Sequence, residues 1–373
     1  MANWLHQKKM ESVYGCAKTT DSEYAMSQKM LILVDGKLDI FTAKTAVSLI
    51  RYRPGEVVAV LDRAHAGQDL EAIVGIGHGI PIVASVEESL AHNPDTFVIG
   101  VAPPGGQLPD AWTEYIRHAI AAKMNIVSGL HTYLSDRPEF SELAALHGVQ
   151  VQDIRKTTED FGVGMARAAN TAARRILTVG TDCNLGKKLT ALEITGSLRS
   201  QDKDAIFLPT GQTGIMIAGW GIAIDSILSD YVSGASEKMV LDHADAEFLV
   251  AEGQGALVNP SYSGVTLGLM HGVLPHDMIL CHAPQRTTIR HLSIPMPPLA
   301  EHIQLHEAVM KPLFPSKVVG IALNCFGMAE DEIQRAVEAA ESETGLPATD
   351  CVRFGAAKLV QALLDRIQDP IES

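Results

Sequence analysis

Apolar and polar positions alternate along the chain in blocks that predict strands separated by helices. Short continuous apolar runs, such as KMLILVDG (29–36) and EVVAVLDR (56–63), are typical of strands that are buried on both faces. Between them, TAKTAVSLIRYR (42–53) has the spacing of a helix with one apolar face. The alternation continues in a short strand at 80–85, a strand at 96–106, a helix at 111–123 and a strand at 125–131. This pattern predicts a parallel sheet with helices on both faces.

A second cycle of strands and helices begins near residue 175. RRILTVG (174–180) predicts a strand, and KKLTALEITGSLRSQ (187–201) predicts the helix that follows it. Four further apolar runs, each ending in a loop, predict the other strands: AIFLPTGQTG (205–214), AEFLVAEGQG (246–255), DMILCHAP (277–284) and KVVGIALNCFG (317–327). The last clear helix is AEDEIQRAVEAAESETG (329–345), which Gly345 and Pro347 end. The sequence therefore predicts an α/β protein with two domains.

Composition and charge narrow the class of protein. The chain of 373 residues is 46% hydrophobic and 20% charged, so it can bury a sizeable core. A net charge of −14 argues against nucleic acid or an anionic membrane as a partner. No apolar run reaches the roughly 18 residues that a membrane helix needs, and the N-terminal segment lacks the apolar stretch of a secretory signal. Since the five cysteines are scattered without metal-like spacing, we expect a cytoplasmic protein.

The first predicted domain lacks the glycine pattern of a dinucleotide site. Its first strand–helix turn, VDGKLDIFTAKTA, contains Gly36 alone, and GIGHGI (75–80) precedes a short strand instead of opening a helix. We therefore expect no NAD to bind. The loop APPGGQLP (102–109) follows a predicted strand, where open α/β sheets bind ligands. Its two glycines could admit a ligand or merely make a turn.

Residues 178–193, TVGTDCNLGKKLTALE, predict a strand, a loop and a helix that together hold phosphate. Backbone N–H groups in such a loop converge on an anion, and the helix N-terminus adds partial positive charge. The G-x5-G-K spacing places a lysine at the helix start to neutralise phosphate oxygens; the alternative is a glycine-rich turn with an exposed lysine. We assign phosphate or nucleotide binding to the whole loop: Gly180, Thr181, Asp182, Cys183, Asn184, Leu185, Gly186, Lys187, Lys188 and Leu189.

The apolar pattern breaks at RKTTEDFGVG, near residue 160. We therefore predict an N-terminal arm at 1–28, a Rossmann-like domain at 29–160 and a P-loop NTPase-like domain at 161–373. Each domain is expected to contain a mainly parallel sheet with helices on both faces.

The residue after the loop lysine departs from the pattern of nucleotide hydrolases. P-loop NTPases hold Mg²⁺ with a Ser or Thr hydroxyl at that place, which Lys188 occupies here. Thr190 lies two residues on, about 200° around a helix, so it should face away from the position that Lys188 faces. A second lysine at that place favours anion binding without metal, which argues against Mg-ATP and is compatible with the diphosphate of coenzyme A.

Polar residues also follow other predicted strands. Gln212 and Thr213 could hydrogen-bond a substrate carboxylate, or could belong to an irregular connection. His282 could act as an acid or base near neutral pH. Arg286 could hold a carboxylate with two parallel hydrogen bonds, or could pair with acidic neighbours.

Three further residues carry predictions about reactivity or surface. Cys183 is expected to have a lowered pKa, because it lies in the loop that leads into a helix N-terminus. Glu237, seven residues after Asp230, is predicted to lie on a solvated helical face. Trp220, in a glycine-rich segment, could contact a ligand or a second copy of the chain, and we expect a homo-oligomer.

The loop resembles that of dethiobiotin synthetase and the cobyrinic-acid amidating enzymes, which activate a carboxylate or carbamate with ATP. VAEGQGAL (250–257) is similar to their second motif, whose acid binds Mg²⁺. The resemblance implies that Glu252 would bind the metal if ATP and Mg²⁺ were used. VVGIALNCFG (318–327) is similar to their late strand, and it implies that Asn324 reads adenine.

A closer resemblance covers nearly the whole chain. GTDCNLGK, PTGQTGIMIAG, SGASE, EGQGALVNPSYSGVTLGLMHG and LCHAP occur in an order that resembles a bacterial family with a Rossmann-like domain fused to a P-loop domain. That family is often labelled as an NAD-dependent epimerase/dehydratase, and some relatives are described as D-glutamate N-acetyltransferases. The resemblance implies transfer of an acetyl group from acetyl-CoA to the amine of a small amino acid such as D-glutamate.

Acetyl transfer to an amine needs a base, for which Glu252 and His282 are our candidates. The first alternative is an ATP- and Mg²⁺-dependent ligase or kinase that activates a small carboxylate. The second alternative is a nucleotide-sensing protein without catalysis.

Overall fold

The computed structural model describes residues 28–40, 42–101 and 103–368. The chain divides into two compact units. The first unit ends at Thr158 and takes in Ile215–Trp220, and the second contains Glu159–Gly214 and the chain from Gly221 onward. The predicted arm at 1–28 lies outside the described residues except for Gln28. Within the described part of the chain, no helix is long and apolar enough to cross a membrane.

A parallel sheet forms the centre of the first unit. Its strands are β1 (Met30–Leu33), β2 (Val57–Leu61), β3 (Ile82–Val83), β4 (Thr96–Ile99), β5 (Asn125–Ser128) and β6 (Val151–Asp153). Its helices are α1 (Lys44–Tyr52), α2 (Leu70–Val74), α3 (Val86–Ser89), α4 (Trp112–Ala121) and α5 (Pro138–His147). The strand order β3-β2-β1-β4-β5-β6 is that of a Rossmann fold. Every residue of β1 and β4 is buried, which explains their unbroken apolar runs.

The second unit is built around a second parallel sheet. Its strands are β7 (Arg174–Gly180), β8 (Ala205–Leu208), β9 (Phe248–Ala251), β10 (Asp277–His282), β11 (Lys317–Leu323) and β12 (Ala348–Thr349). The helices that begin in it are α6 (Lys187–Arg199), α7 (Gln212–Ala218), α8 (Val232–Leu241), α9 (Ser263–Val273), α10 (Leu299–Met310), α11 (Glu330–Thr344), α12 (Cys351–Phe354) and α13 (Ala357–Gln368). The strand order is β12-β11-β10-β7-β9-β8.

The order of the second sheet sets the position of the phosphate loop. β7 pairs in parallel with β10 on one side and with β9 on the other. The connections from β7 to β8 and from β9 to β10 therefore run in opposite directions along the sheet, which opens a crevice at the carboxyl end of β7. The loop that follows Gly180 begins at this crevice. The predicted fold class, two α/β domains with parallel sheets, is confirmed.

Several helices of the second unit escape prediction because they lack a polar face. In α9, SGVTLGLMHGV, most of the long apolar side chains are buried, and two glycines bring the helix against α8. A Cβ at Gly268 would overlap the side chain of Val232, and one at Gly272 would overlap the carbonyl oxygen of Ser233. Burial on opposite sides of a helix removes the amphipathic spacing by which sequence analysis recognises helices.

The prediction that Glu237 lies on a solvated face is wrong. The side chain of Glu237 is fully buried, and it pairs with the Arg167 guanidinium, whose Nη2 donates at 2.7 Å. The backbone N–H groups of Met165 and Arg167 also donate to this carboxylate. Glu237 therefore fastens the segment that begins the second unit onto α8, while Asp230 is exposed as predicted.

Candidate functional site

The phosphate loop at 180–189 includes the end of β7, the irregular segment from Thr181 to Gly186 and the start of α6. Gly186 immediately precedes the helix with φ of +97°, a backbone conformation that only glycine adopts readily. Lys187, the first residue of α6, is buried, and its Nζ donates a hydrogen bond of 2.8 Å to the carbonyl oxygen of Asp182. Burial lowers the pKa of Lys187. The ammonium group is thus held inside the loop, facing the backbone that would surround an anion.

The carboxylate of Asp182 is hydrogen-bonded to several groups in and around the loop. Its Oδ1 accepts hydrogen bonds from the N–H of Cys183 at 2.7 Å and from Asn259 Nδ2 at 2.9 Å. Its Oδ2 accepts from Arg286 Nη1 at 3.2 Å and from the N–H of Arg290 at 2.6 Å. Burial alone would raise the pKa of Asp182, but these hydrogen bonds and the Arg286 charge lower it. Asp182 is therefore a structural carboxylate that shapes the loop.

Arg286 is committed to the same loop. Besides Asp182, its Nη1 donates to the carbonyl oxygen of Cys183 at 2.6 Å, and the side chain is 25% exposed. Arg286 was predicted either to hold a substrate carboxylate or to pair with an acidic neighbour, and the structure shows the second of these contacts directly. Its role toward a substrate carboxylate stays a prediction.

Glu252 follows β9 directly, at the same end of the sheet. Its Oε2 accepts hydrogen bonds from the N–H groups of Thr210 at 3.1 Å and Gly211 at 3.2 Å. The next residue, Gly253, donates its N–H to Thr178 Oγ1 at 2.9 Å and packs against the stem of Lys187. Burial raises the pKa of Glu252 to about 7, although the charge of Lys188 and the two N–H groups act in the opposite direction. This carboxylate therefore exchanges a proton near neutral pH.

Gln212 and Thr213 lie in the first turn of α7, so the interpretation of this segment as an irregular connection is wrong. The two glycines that flank them, Gly211 and Gly214, contact Glu252. A Cβ at Gly214 would overlap Glu252 Oε2. The glycines of PTGQTG thus allow the start of α7 to approach a buried carboxylate, and they bring Gln212 and Thr213 to the neighbourhood of Glu252.

Replacing Gly214 by alanine should destabilise the protein by about 1–3 kcal/mol, because the added methyl group has no space beside Glu252. Urea denaturation measures the loss as a fall in the unfolding midpoint. Gly264→Ala is the matched control, since a Cβ at that position in α9 meets no atom within 4 Å. A Gly214→Ala variant as stable as the control variant would contradict the close packing around Glu252.

His282, the last residue of β10, contacts the phosphate loop. Its Nδ1 lies 3.0 Å from Thr181 Oγ1. Burial, together with the charges of His302 and Arg286, lowers the pKa of His282 to about 4. The imidazole is therefore neutral at pH 7, and it is a weaker base than Glu252. Asn324, just after β11, donates its N–H to the His282 carbonyl oxygen at 2.7 Å, and its side chain lies near Gly186.

The expectation for Cys183 is wrong, and Thr190 lies against the sheet. Burial raises the pKa of the Cys183 thiol and the charge of Asp182 raises it further, and these two effects outweigh the opposing charges of Arg290 and Lys187. Thr190 is buried against β10, where its Oγ1 lies 3.6 Å from Cys281 Sγ. It therefore faces the sheet, and its orientation away from a bound phosphate stays a prediction.

Sequence reasoning missed the residues that support the loop from other strands. Asn259 Nδ2 donates a hydrogen bond to Asp182, and the N–H of Thr210 donates one to Glu252. Neither residue immediately follows the last residue of a strand. His302 and His306 are buried on α10, and their Nε2 atoms have no hydrogen-bond partner among the described residues. Their spacing of four residues on one helical face was the available signal.

The carboxyl edge of the first sheet differs from a dinucleotide site. Asp62, which follows β2, is fully buried, and its Oδ1 accepts from the N–H groups of Gly36 at 2.8 Å and Ala64 at 3.0 Å. The acid that would hold a ribose in an NAD site is thus used to brace the first turn. α1 begins only at Lys44, so no helix N-terminus follows Gly36 to receive a pyrophosphate. The absence of NAD binding stays a prediction, now with this geometry behind it.

Family models match both halves of the chain. Residues 63–157 match the N-terminal domain of the DUF1611 family, described as a Rossmann-like domain of unknown function. Residues 162–360 match the C-terminal domain of the same family, described as a P-loop domain.

Similar proteins carry a more specific name. A D-glutamate N-acetyltransferase from Tritonibacter scottomollicae is 33% identical over 338 residues, which cover 89% of this chain and 97% of the relative. A D-glutamate N-acetyltransferase from a Pseudoalteromonas species is 37% identical over 281 residues, or 75% of this chain and 84% of the relative. The crystal structure of a DUF1611 family protein from Anabaena variabilis matches with a TM-score of 0.87 and 39% identity, covering 91% of this chain and 99% of that one.

Proposed function

This chain belongs to the DUF1611 family, and from that premise we propose that it transfers an acetyl group from acetyl-CoA to the amine of D-glutamate. Two relatives named D-glutamate N-acetyltransferase, at 33% and 37% identity, support the reaction and the substrate. Their similarity extends over both units, so it includes the phosphate loop and the strand that carries Glu252.

The observation that carries the proposal is a buried carboxylate with a pKa of about 7, Glu252, beside a phosphate-binding loop. An amino acid is protonated on its amine at neutral pH, and it attacks a thioester only after it loses that proton. A base with a pKa near the operating pH combines a large deprotonated fraction with useful basicity. Glu252 meets this condition better than His282, whose pKa of about 4 makes it a weak proton acceptor.

In the proposed reaction, Glu252 accepts a proton from the ammonium group of the substrate. The amine nitrogen then bonds to the thioester carbonyl carbon, and the carbon–sulfur bond breaks. The nitrogen then loses a second proton to the departing sulfur, so that CoA leaves as a thiol and the product is an N-acetyl amino acid, while the proton held by Glu252 passes to solvent. The N–H groups of Thr210 and Gly211 hold the Glu252 carboxylate in place.

We assign the diphosphate of the coenzyme to the loop at 180–189. Lys187 would exchange its hydrogen bond to the Asp182 carbonyl oxygen for one to a phosphate oxygen, which carries full negative charge. Asn324, whose side chain lies near Gly186, stays our candidate for contact with the adenine. Gln212, Thr213 and Arg286 stay our candidates for the carboxylates of the substrate, and a homo-oligomer stays the expected assembly.

The fold itself favours one alternative, an ATP- and Mg²⁺-dependent ligase or kinase that activates a small carboxylate. A parallel sheet with a phosphate loop after its central strand and an acid after the neighbouring strand is also the arrangement of P-loop NTPases. A protein that senses a nucleotide without catalysis would bind the same ligands without turning them over.

The deciding experiment follows free thiol and acetylated product when the purified protein is mixed with acetyl-CoA and one amino acid. We expect thiol release in equal amount to N-acetyl-D-glutamate, and little product with L-glutamate or D-alanine. In a parallel assay, the protein is mixed with ATP, Mg²⁺ and a panel of small carboxylates, and the formation of ADP is measured. In thermal unfolding, NAD serves as the negative control and is expected not to raise the unfolding temperature. Formation of ADP without release of thiol would support the ATP-dependent ligase or kinase. Binding of a ligand without formation of any product would support the nucleotide-sensing protein.

A further inference from the structure

The fold of the second unit implies a metal that its residues do not fit. P-loop NTPases hold Mg²⁺ through the hydroxyl after the loop lysine and through an acid at a neighbouring strand end. Lys188 takes the first of these places, in the first turn of α6, and Glu252 takes the second, after β9. An ammonium group cannot ligate a cation, because it has only donors.

One oxygen of the acid is already hydrogen-bonded within the protein. Glu252 Oε2 accepts the N–H groups of Thr210 and Gly211, and the positive charge of Lys188 acts on the same carboxylate. Both oxygens of Asp182, the other acid at the loop, accept hydrogen bonds from within the protein. Among the described residues, no group of three His, Cys, Asp or Glu side chains is placed to hold a metal ion. Mg²⁺ at such sites is usually held by one or two carboxylates together with phosphate oxygens and water. Here an ammonium group takes the place of the hydroxyl, and Glu252 Oε2 already accepts two backbone N–H groups.

We infer that Lys188 replaces Mg²⁺ in this P-loop site, so that its ammonium group faces both the ligand diphosphate and Glu252, and the site works without divalent metal. The inference rests on the proposed function for the identity of the ligand. Lys187 and Lys188 together bring two positive charges to the loop, which match the charge that a diphosphate carries. Lys188 thus binds the coenzyme phosphates directly, and it acts on the proton transfer only through Glu252.

The test begins with metal removal. Protein treated with EDTA is compared with protein in excess MgCl₂ for binding of CoA by calorimetry and for acetylation of D-glutamate. We expect the affinity and the rate to agree within about twofold between the two conditions, since the contacts to phosphate come from lysines and backbone.

The second arm changes the cation itself. Lys188→Ala should weaken CoA binding by about tenfold or more, because one charge-assisted contact is lost. Lys188→Arg keeps the positive charge and should recover part of the affinity. Lys188→Ala should also move the midpoint of the pH–rate profile upward, because the lost positive charge favours the ionised form of Glu252. Lys203→Ala is the matched control, since it removes a lysine that pairs with Glu247 before β9.

The outcomes separate this inference from the proposed function. A rate that EDTA abolishes and Mg²⁺ restores would overturn the metal replacement while acetyl transfer stands, and an unmoved pH midpoint in Lys188→Ala would overturn the link to Glu252. Binding of CoA or ATP that ignores Mg²⁺, in a protein that never acetylates D-glutamate, would support the metal replacement and refute the proposed reaction.

Discussion

Lys187→Ala is expected to weaken binding of the coenzyme by roughly 10- to 100-fold, equivalent to about 1.5–3 kcal/mol for a charged, desolvated contact. Lys187 is buried at the start of α6, and its ammonium group already lies inside the loop, bonded to the Asp182 carbonyl oxygen. A phosphate that enters the loop is a stronger acceptor than that carbonyl. The variant loses this gain, and calorimetric titration with CoA measures the loss.

Lys203→Ala serves again as the control, because it changes net charge by the same amount at the opposite end of the strands. Its pair with Glu247 at 2.9 Å is a solvent-exposed one, and such pairs contribute little. If both variants bind CoA like the wild type, the loop at 180–189 is not the coenzyme site. Circular dichroism should show both variants folded, so that a change in affinity is not a loss of structure.

Glu252→Gln should lower the rate of acetyl transfer by about 100- to 10,000-fold while CoA still binds, because general bases contribute on that scale. The amide keeps a side-chain oxygen that can accept the Thr210 and Gly211 N–H groups, but it cannot accept the proton of the amine. Glu247→Gln is the matched control, since Glu247 precedes the same strand and pairs with Lys203 at its other end. Equal rates in the two variants would remove Glu252 from the reaction.

The pH dependence gives an independent measure of the same group. With a pKa of about 7 for Glu252, the wild-type rate should rise as pH increases through 7 and then level off, since the base acts when deprotonated. Stability should change in the opposite sense. A pKa raised from 4.5 to about 7 means that the folded state binds more protons, so the free energy of unfolding falls as pH rises between those values. Glu252→Gln should lack both trends.

Ten of the twelve strands that the structure describes were predictable, because burial on both faces produces continuous apolar runs in the sequence. β6 and β12 were not predicted, because their three and two residues include polar ones and form no such run. β7 begins and ends at the residues that the pattern RRILTVG delimits. Two of the helices that were not predicted show why: burial and glycine packing erase the 3.6-residue period in α9, and α7 is short. A local pattern cannot report such packing, since it depends on a neighbouring helix that is distant in sequence.

The site was predictable to the extent that it is local. The loop and Lys187 lie in one strand–loop–helix segment, so spacing alone locates them. The environment of Asp182 depends on Asn259, Arg286 and Arg290, which are 77, 104 and 108 residues away. The expected low pKa of Cys183 failed for the same reason, because burial and the neighbouring carboxylate decide it and sequence shows neither the depth of the thiol nor its surroundings.

The ion pair between Glu237 and Arg167 limits where the P-loop half of this protein can be joined to a different N-terminal domain. Gly162, Gly164 and Arg167 all pack on α8, where Gly234 has no room for a side chain beside the Gly162 carbonyl oxygen. A chimaera that joins another N-terminal module to this P-loop half must therefore inherit the chain from residue 161, not from the first strand of the second sheet. A crossover placed at residue 172 would leave the buried Glu237 carboxylate without Arg167, so the exchange is expected to be tolerated only when the crossover precedes residue 161.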